Sequence, residues 1–336
     1  MLVVTIRDIA REAGVSVSTV SRVLTGKPDV SAATGDRVQA VVDRYHFEVN
    51  RHAQYLKQVD TCTIGVVVKG RDNVLFATML ELVQTAVVEA GFRTAVRYLD
   101  EDDDGLEAVE AERLASEFKP RGVIVLGGDL RHEGTLQRRV GVEIPAVVLT
   151  TQLCCRELPL VSSVSVDDAA AGRMAVAHLI ANGHRVIGVI SGNPDTSEMS
   201  HHRLQGAKDA LRDAGLALDN RVALARYSLE SGYQAAIELV GAHPDITALY
   251  AMSDLMALGA IRALADLGRR VPDDISVIGH DGIALGSYTL PRLTTLRQPQ
   301  EEIVRQGLAR LLDDATPAAS IIVPVELVPG ESVRAL

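Results

Sequence analysis

Apolar residues recur at helical spacing from the start of the chain. Ile6, Ile9, Ala10 and Ala13 make one stripe, and Thr5, followed three residues on by Asp8, predicts a capping-box-like start. Gly14 ends that helix where a left-handed backbone is cheap, and Val15 can plug the corner. Ser16 predicts the cap of a second helix that buries Val20, Val23 and Leu24 and turns Val17, Ser18, Ser21 and Arg22 outward. Two short helices across a tight glycine turn, the second bearing small polar residues and an arginine, fit a helix-turn-helix that reads a DNA major groove. A third helix is predicted after Pro28-Asp29, capped by Ser31, with Val38, Val41, Val42 and Tyr45 as its apolar side.

The pattern then changes. Residues 46–61 are polar and weakly helical and read as a linker. From Thr63 to Val68 the chain is a continuous apolar run of the kind buried on both faces of a parallel sheet. Helices at 76–90 and 106–118 alternate with strands at 93–98, 122–126 and 144–150. A second set follows, with helices at 168–182, 201–214, 231–242 and 254–267 and strands at 186–191, 222–227, 248–252 and 276–279. This alternation predicts two doubly wound α/β lobes. IGVVVKG at 64–70 and IGVISG at 187–192 mark two similar first strands.

Composition narrows the class. The 336 residues suit a small module plus a large body, and 47% hydrophobic with 23% charged is ordinary for a globular protein. No apolar run approaches the roughly 18 residues of a membrane span. Arg7 and Asp8 interrupt the N-terminal apolar run, so no signal peptide is expected, and three cysteines make no disulfide framework. A cytoplasmic protein is therefore expected. Net charge is −10, which by itself argues against nucleic acid. Residues 1–60, however, hold eight basic against seven acidic side chains, so the acidity lies in the body. Affinity for DNA then has to come from base contacts and pairing of heads rather than bulk charge.

The residues GVSVSTVSRVLTGKPDVS (14–31) resemble the signature of the LacI family of bacterial transcription repressors. HLIANGHRVIGVISG, VPDDISVIGHDG and LPRLTTLRQP extend the resemblance through nearly the whole chain. It implies an α/β protein with an all-α helix-turn-helix head (1–48), a hinge helix or linker (49–61) and a two-lobed type I periplasmic-binding-protein-like body (62–336). The expected lobes are 62–160 with 292–319, and 161–291 with 320–336. Carried over by motif position, Val17, Ser18 and Arg22 face base edges, while Thr5, Ser16, Thr19 and Ser21 contact phosphate or cap the helix. Arg22 suits guanine, whose O6 and N7 a guanidinium binds in two-point fashion. In the hinge-like NRHAQYLK, Asn50 begins the helix, Ala53 approaches the minor groove and Leu56 wedges between base pairs. Val49 stands where the family has proline, which weakens the start of that helix.

Ligands of such bodies bind at strand C-terminal ends, between the lobes. The expected effector residues are Asn73, Thr150, Arg203, Tyr227, Ser253, Asp281 and Gln298. Arg203 matches the family's Arg-x-x-Gly, and a carboxylate with an arginine in one cleft clamps vicinal hydroxyls. Three local sequences depart from the family: Asn73-Val74-Leu75-Phe76, Ser253-Asp254 and Gly279-His280-Asp281-Gly282. Rings for stacking on sugar are few, with aromatics at 3%, yet a sugar or related metabolite is the favoured effector class. The expected partners are a roughly palindromic double-stranded operator and a second copy of the chain, with helix 76–90, Met256–Ala260 and Leu285–Leu290 at the dimer contact. No membrane partner, cofactor or metal is expected. His201-His202 point apart on a helix, and Asp100–Asp104 lack the spacing of a calcium loop. The reading is an effector-controlled repressor; the alternative is an enzyme with an inter-lobe active site acting on a sugar-like substrate.

Overall fold

A computed structural model describes residues 6–24, 31–45, 62–100, 106–128, 144–153, 160–313 and 317–336. Contacts divide the chain into two units, Met1–Val59 and Asp60–Leu336.

In the first unit, helices α1 (Ile6–Glu12), α2 (Val17–Leu24) and α3 (Ala32–Arg44) pack on one another. The expected stripes meet: Ile9, Ala10, Ala13, Val20, Val38, Val41 and Val42 form the core, with Val15 and Val23 against it. Gly14 takes φ +63°, which ends α1 without strain. Tyr45 departs from expectation. It is 42% exposed rather than part of the apolar side, and its hydroxyl donates to Glu12 at 2.5 Å, beside the 2.8 Å bond from Arg44. The two polar contacts tie the end of α3 to α1.

Among the described residues, the second unit holds two six-stranded sheets. Its chain order is β1 (Thr63–Lys69), α4 (Val74–Glu89), β2 (Arg93–Leu99), α5 (Glu107–Phe118), β3 (Gly122–Leu126), β4 (Ala146–Leu149), β5 (Val161–Val166), α6 (Asp168–Ala181), β6 (Ile187–Ser191), α7 (Glu198–Asp213), β7 (Val222–Leu224), α8 (Leu229–Ala242), β8 (Ala248–Ala251), α9 (Asp254–Asp266), β9 (Ser276–Asp281), β10 (Thr294–Arg297), α10 (Gln300–Leu312), β11 (Ser320–Val323) and β12 (Glu326–Val328). The first sheet runs β11-β5-β4-β3-β1-β2, with parallel pairing throughout. The second runs β12-β10-β9-β8-β6-β7 and is parallel except for its β10–β12 edge pair.

The expected lobe boundaries need correcting. β5 at 161–166 and β11 at 320–323 belong to the first sheet, and β10 at 294–297 to the second. Each passage of the chain between lobes therefore lies one strand later than expected: β5 to α6, β10 to α10, and β11 to β12. Each sheet takes an edge or inner strand from the far end of the sequence, which no local pattern reports. Met256, Ala257 and Ala260 are fully buried inside the second lobe, and Met79, Leu80, Val83 and Val87 of α4 are absorbed by the first lobe's core.

Two helix pairs in the second lobe touch backbone to backbone. A Cβ on Gly206 of α7 would lie 1.9 Å from the Ala169 carbonyl oxygen, and one on Gly172 of α6 would lie 2.0 Å from that of Arg203. Gly232 and Gly259 do the same for α8 and α9. Only glycine lets these helices approach so closely, and the α6–α7 contact seats Arg203 against the start of α6.

Candidate functional site

On the first unit, α2 shows an outward face. Val17 is 42% exposed, Ser18 and Arg22 are exposed, and Thr19 is half-buried. Ser16 takes the capping role: its Oγ accepts from the Thr19 backbone N–H at 3.1 Å and lies 2.7 Å from the Ser18 hydroxyl and 2.8 Å from the Thr19 hydroxyl. Capping leaves the end of α2 with polar groups turned toward solvent, as a phosphate contact requires. Ser21 lies on α2. Thr5, Asn50, Ala53 and Leu56 lie outside the described residues, as does the whole 49–61 linker.

In the second unit, a cavity of about 330 Å³ opens between the ends of the two sheets. Its walls include Asn73 and Thr150 from the first lobe and Arg203, Tyr227, Asp281 and Gln298 from the second. Six of the seven expected effector residues thus meet at one place. Ser253 does not line the cavity; it is buried and caps α9, accepting from the Met256 N–H at 3.2 Å. Arg203 sits on α7, within the helix expected over 201–214. Tyr227 lies beyond the end of β7, which stops at Leu224. Asn73 also caps a helix, its Oδ1 accepting from the Leu75 N–H at 3.0 Å.

The arginine is wholly buried. Its Nε donates to Asp168 at 2.7 Å, its Nη1 donates to the Met252 carbonyl at 2.7 Å, and its Nη2 has no partner. Burial is the largest influence and disfavours the guanidinium, but Asp168, Tyr227, Asp281 and Tyr250 together outweigh it and hold Arg203 cationic. Burial raises the Asp168 carboxyl, with Arg203 working against that rise. Asp281 accepts from Gln298 Nε2 at 2.8 Å, while Gln298 Oε1, also buried, is unpartnered. Behind them Asp254, fully buried, accepts from the Thr295 hydroxyl at 2.5 Å and the Ile283 N–H at 2.8 Å. Asp168 and Asp281 thus act on one guanidinium, and the charge of Asp281 in turn disfavours ionisation of Asp254. Burial pushes Asp281 up to about 6, against the pull of Arg203 and Gln298, and pushes Asp254 well above the usual range.

Backbone strain marks the same place from both lobes. Thr150 at φ 72° and Asp281 at φ 115° hold left-handed backbones that a β-branched residue and an aspartate rarely adopt, and both line the cavity. The strain turns the ends of β4 and β9 so that their side chains face the gap.

Other lining residues were not expected from the sequence. Lys69 ends β1, is buried and lies 3.1 Å from the buried Glu107 carboxylate. Thr151, Asn193 and Arg226 join it. Lys69 directly follows the apolar run Thr63–Val68 and extends the strand by one residue; the others lie in loops of no distinctive pattern. Phe76 and Tyr227 are the aromatic rings of the wall, and the Tyr227 hydroxyl is 2.7 Å from that of Ser200. Burial lifts Tyr227 to about 12, so this hydroxyl keeps its proton.

Comparison with known proteins agrees with both units. Residues 5–50 match the model for bacterial regulatory proteins of the lacI family, and residues 176–333 match that for a periplasmic binding protein-like domain. The HTH-type transcriptional regulator MalR of Clostridium butyricum is 33% identical, over 97% of this chain and 98% of that protein. Among solved structures, a lac repressor dimer bound to operator and the anti-inducer ONPF is 27% identical with a TM-score of 0.77, covering 99% of each chain. A complex of the transcriptional regulator CelR with cellobiose is 29% identical with a TM-score of 0.70, covering 98% of this chain and all of that one. These similar proteins are regulators of transcription, which sets aside the enzyme alternative. Helix-turn-helix unit, two-lobed body and relatives agree: the chain belongs to the lacI family of bacterial regulatory proteins.

Proposed function

We propose that this regulator is a repressor that binds a two-fold operator as a homodimer and changes its grip when a neutral sugar fills the cavity between its lobes. The observation that carries the effector class is the pairing of Arg203 and Asp281 on one wall. A guanidinium with a spare N–H beside a carboxyl offers a donor and an acceptor to adjacent hydroxyls. Phe76 and Tyr227 add apolar faces for the carbon side of a ring. Cellobiose in the similar CelR structure supports the same class.

On DNA, Arg22 reads a guanine edge and Val17 makes apolar contact, while Ser16, Ser18, Thr19, Ser21 and Thr5 serve phosphate contact or capping. Asn50, Ala53 and Leu56 continue the contact into the minor groove. The dimer is supported by exposed apolar surface on the second lobe: Leu285 is 46%, Tyr288 86% and Leu290 92% exposed on one short stretch. The regulator works in the cytoplasm; among the described residues no helix is long and apolar enough to cross a membrane.

The test pairs two measurements. Thermal shift against cellobiose, maltose, galactose and ribose reads binding, since a ligand of the folded state raises its stability. Operator binding with and without the hit reads regulation. The expected result is a stabilising neutral sugar that alters operator affinity in the wild type and not in Arg203→Ala. Stabilisation by anionic metabolites alone would overturn the sugar reading.

A further inference from the structure

The cavity wall holds two buried polar atoms without partners, and they are of opposite kinds. Arg203 Nη2 is a donor and Gln298 Oε1 an acceptor; their residues are 1% and 2% exposed, and both line the cavity. Gln298 is also tied to Asp281 twice. Its side-chain Nε2 donates to the carboxyl at 2.8 Å, and its backbone N–H donates to the Asp281 carbonyl at 3.1 Å. The second bond holds the backbone while the amide group remains free to turn about its last torsion.

A primary amide has one donating and one accepting end, so the end that Asp281 takes decides the end left over. An ionised carboxylate only accepts and must take the N–H. A protonated carboxyl can donate its O–H, and then the amide is better placed with its oxygen toward Asp281 and its N–H₂ outward. The surroundings make both forms accessible. Facing Asp281 are Asp254 at the start of α9, Arg203 on α7 and Asp168 at the start of α6, with Tyr227, Tyr250 and His280 close by. Asp254 and Asp281 brace each other through backbone N–H groups of each other's segments, so two carboxyls share one buried corner.

We propose that Gln298 sets the hydrogen-bonding polarity of the effector cavity, presenting its carbonyl when Asp281 is ionised and its amide N–H when Asp281 is protonated. This rests on the reading of the cavity as the effector site and refines the ligand it takes. In the ionised state this corner of the wall offers one unpartnered donor and one unpartnered acceptor, which a hydroxyl satisfies at once because it both gives and receives. A carboxylate or phosphate, which only accepts, meets the Gln298 oxygen with nothing to offer. In the protonated state Arg203 and Gln298 offer donors only, and the preference at this corner turns toward acceptors. The effector at neutral pH is therefore a neutral polyhydroxyl compound, and acid weakens its binding.

The switch is tested without any ligand by NMR of the full chain labelled with ¹⁵N-glutamine. The side-chain amide signals that vanish in Gln298→Met should move with a midpoint near pH 6. Asp254→Asn should shift that midpoint, and Asp281→Asn should abolish the movement. Signals fixed between pH 5 and 8, or a titration unchanged in Asp281→Asn, overturn the proposal. If Asp281→Asn fails to fold, the wild-type titration and its shift in Asp254→Asn still decide. The ligand arm uses cellobiose and its aldonic acid, cellobionate. Cellobiose affinity should fall about tenfold per pH unit below the midpoint, the slope of one linked proton, while cellobionate gains on it. Equal pH dependence of the two ligands refutes the polarity switch. Failure of both to bind, with the amide titration intact, counts against the sugar reading and not against the switch.

Discussion

Burial of Asp281 makes its proton part of the folding equilibrium. Its folded value of about 6 lies above its ordinary 3.8, so between those two pH values the folded chain holds more protons than the unfolded one. Stability therefore falls as pH rises through that window and levels off above it, by on the order of 3 kcal/mol for this group. Asp254, raised as well, adds a slope of the same sign. Urea unfolding from pH 4 to 8 should show the fall in the wild type and a clearly shallower one in Asp281→Asn; equal slopes would assign the effect to other groups. Arg203 makes a different demand. Arg203→Ala leaves Asp168 buried without its cation, and a loss of about 3–5 kcal/mol in unfolding free energy is expected. A loss below 1 kcal/mol would mean that water or a proton takes the arginine's place.

At the scale of elements, the glycines of crossing helices govern the site from behind. Gly206 closes the Arg-x-x-Gly stretch that begins at Arg203, so the residue that admits α6 is one turn from the residue that faces the cavity. Gly206→Ala should lower stability by roughly 1–3 kcal/mol and weaken effector binding more than operator binding. Gly241→Ala, in α8 with open space around it, should instead stabilise by about 0.4–1 kcal/mol. Paired melting curves read both signs, and two variants of the same sign would refute the packing argument. On α2, Arg22→Ala should cost ~1–3 kcal/mol of operator discrimination per subunit. An unchanged ratio of specific to non-specific binding in a gel-shift competition would take Arg22 off the base edges. Much of this was legible in sequence because strand ends and the glycine corner leave local marks. Ser253 misled because a serine after a strand and before a helix marks a cap and a cleft residue alike. β5 escaped notice because Ser162, Ser163 and Ser165 interrupt its apolar run. Two of those serines are satisfied by the far end of the chain: Ser163 donates to the Ser320 hydroxyl at 2.9 Å, and Ser162 accepts from the Ala319 N–H at 3.2 Å. Only the folded sheet shows why serine is tolerated there.

At the scale of the whole molecule, assembly decides whether two α2 helices can address one palindrome. Light scattering without DNA should give about 72 kDa, twice the 36.0 kDa chain. Tyr288→Asp with Leu290→Asp should return the mass toward one chain if that exposed stretch carries the contact. A dimer undisturbed by both changes would place the interface elsewhere on the body.

The three late passages between lobes bear on how the chain acquires its shape. Neither sheet can be finished by any contiguous piece: the first waits for residues 320–323 and the second for 294–297 and 326–328. On a ribosome, the first lobe would stay open at an edge until residues 320–323 have emerged and the second until residues 326–328 have. Such long-range closure is slow and leaves strand edges unpaired in the meantime. A ribosome stalled after residue 316 would thus hold two unfinished lobes rather than one finished and one waiting.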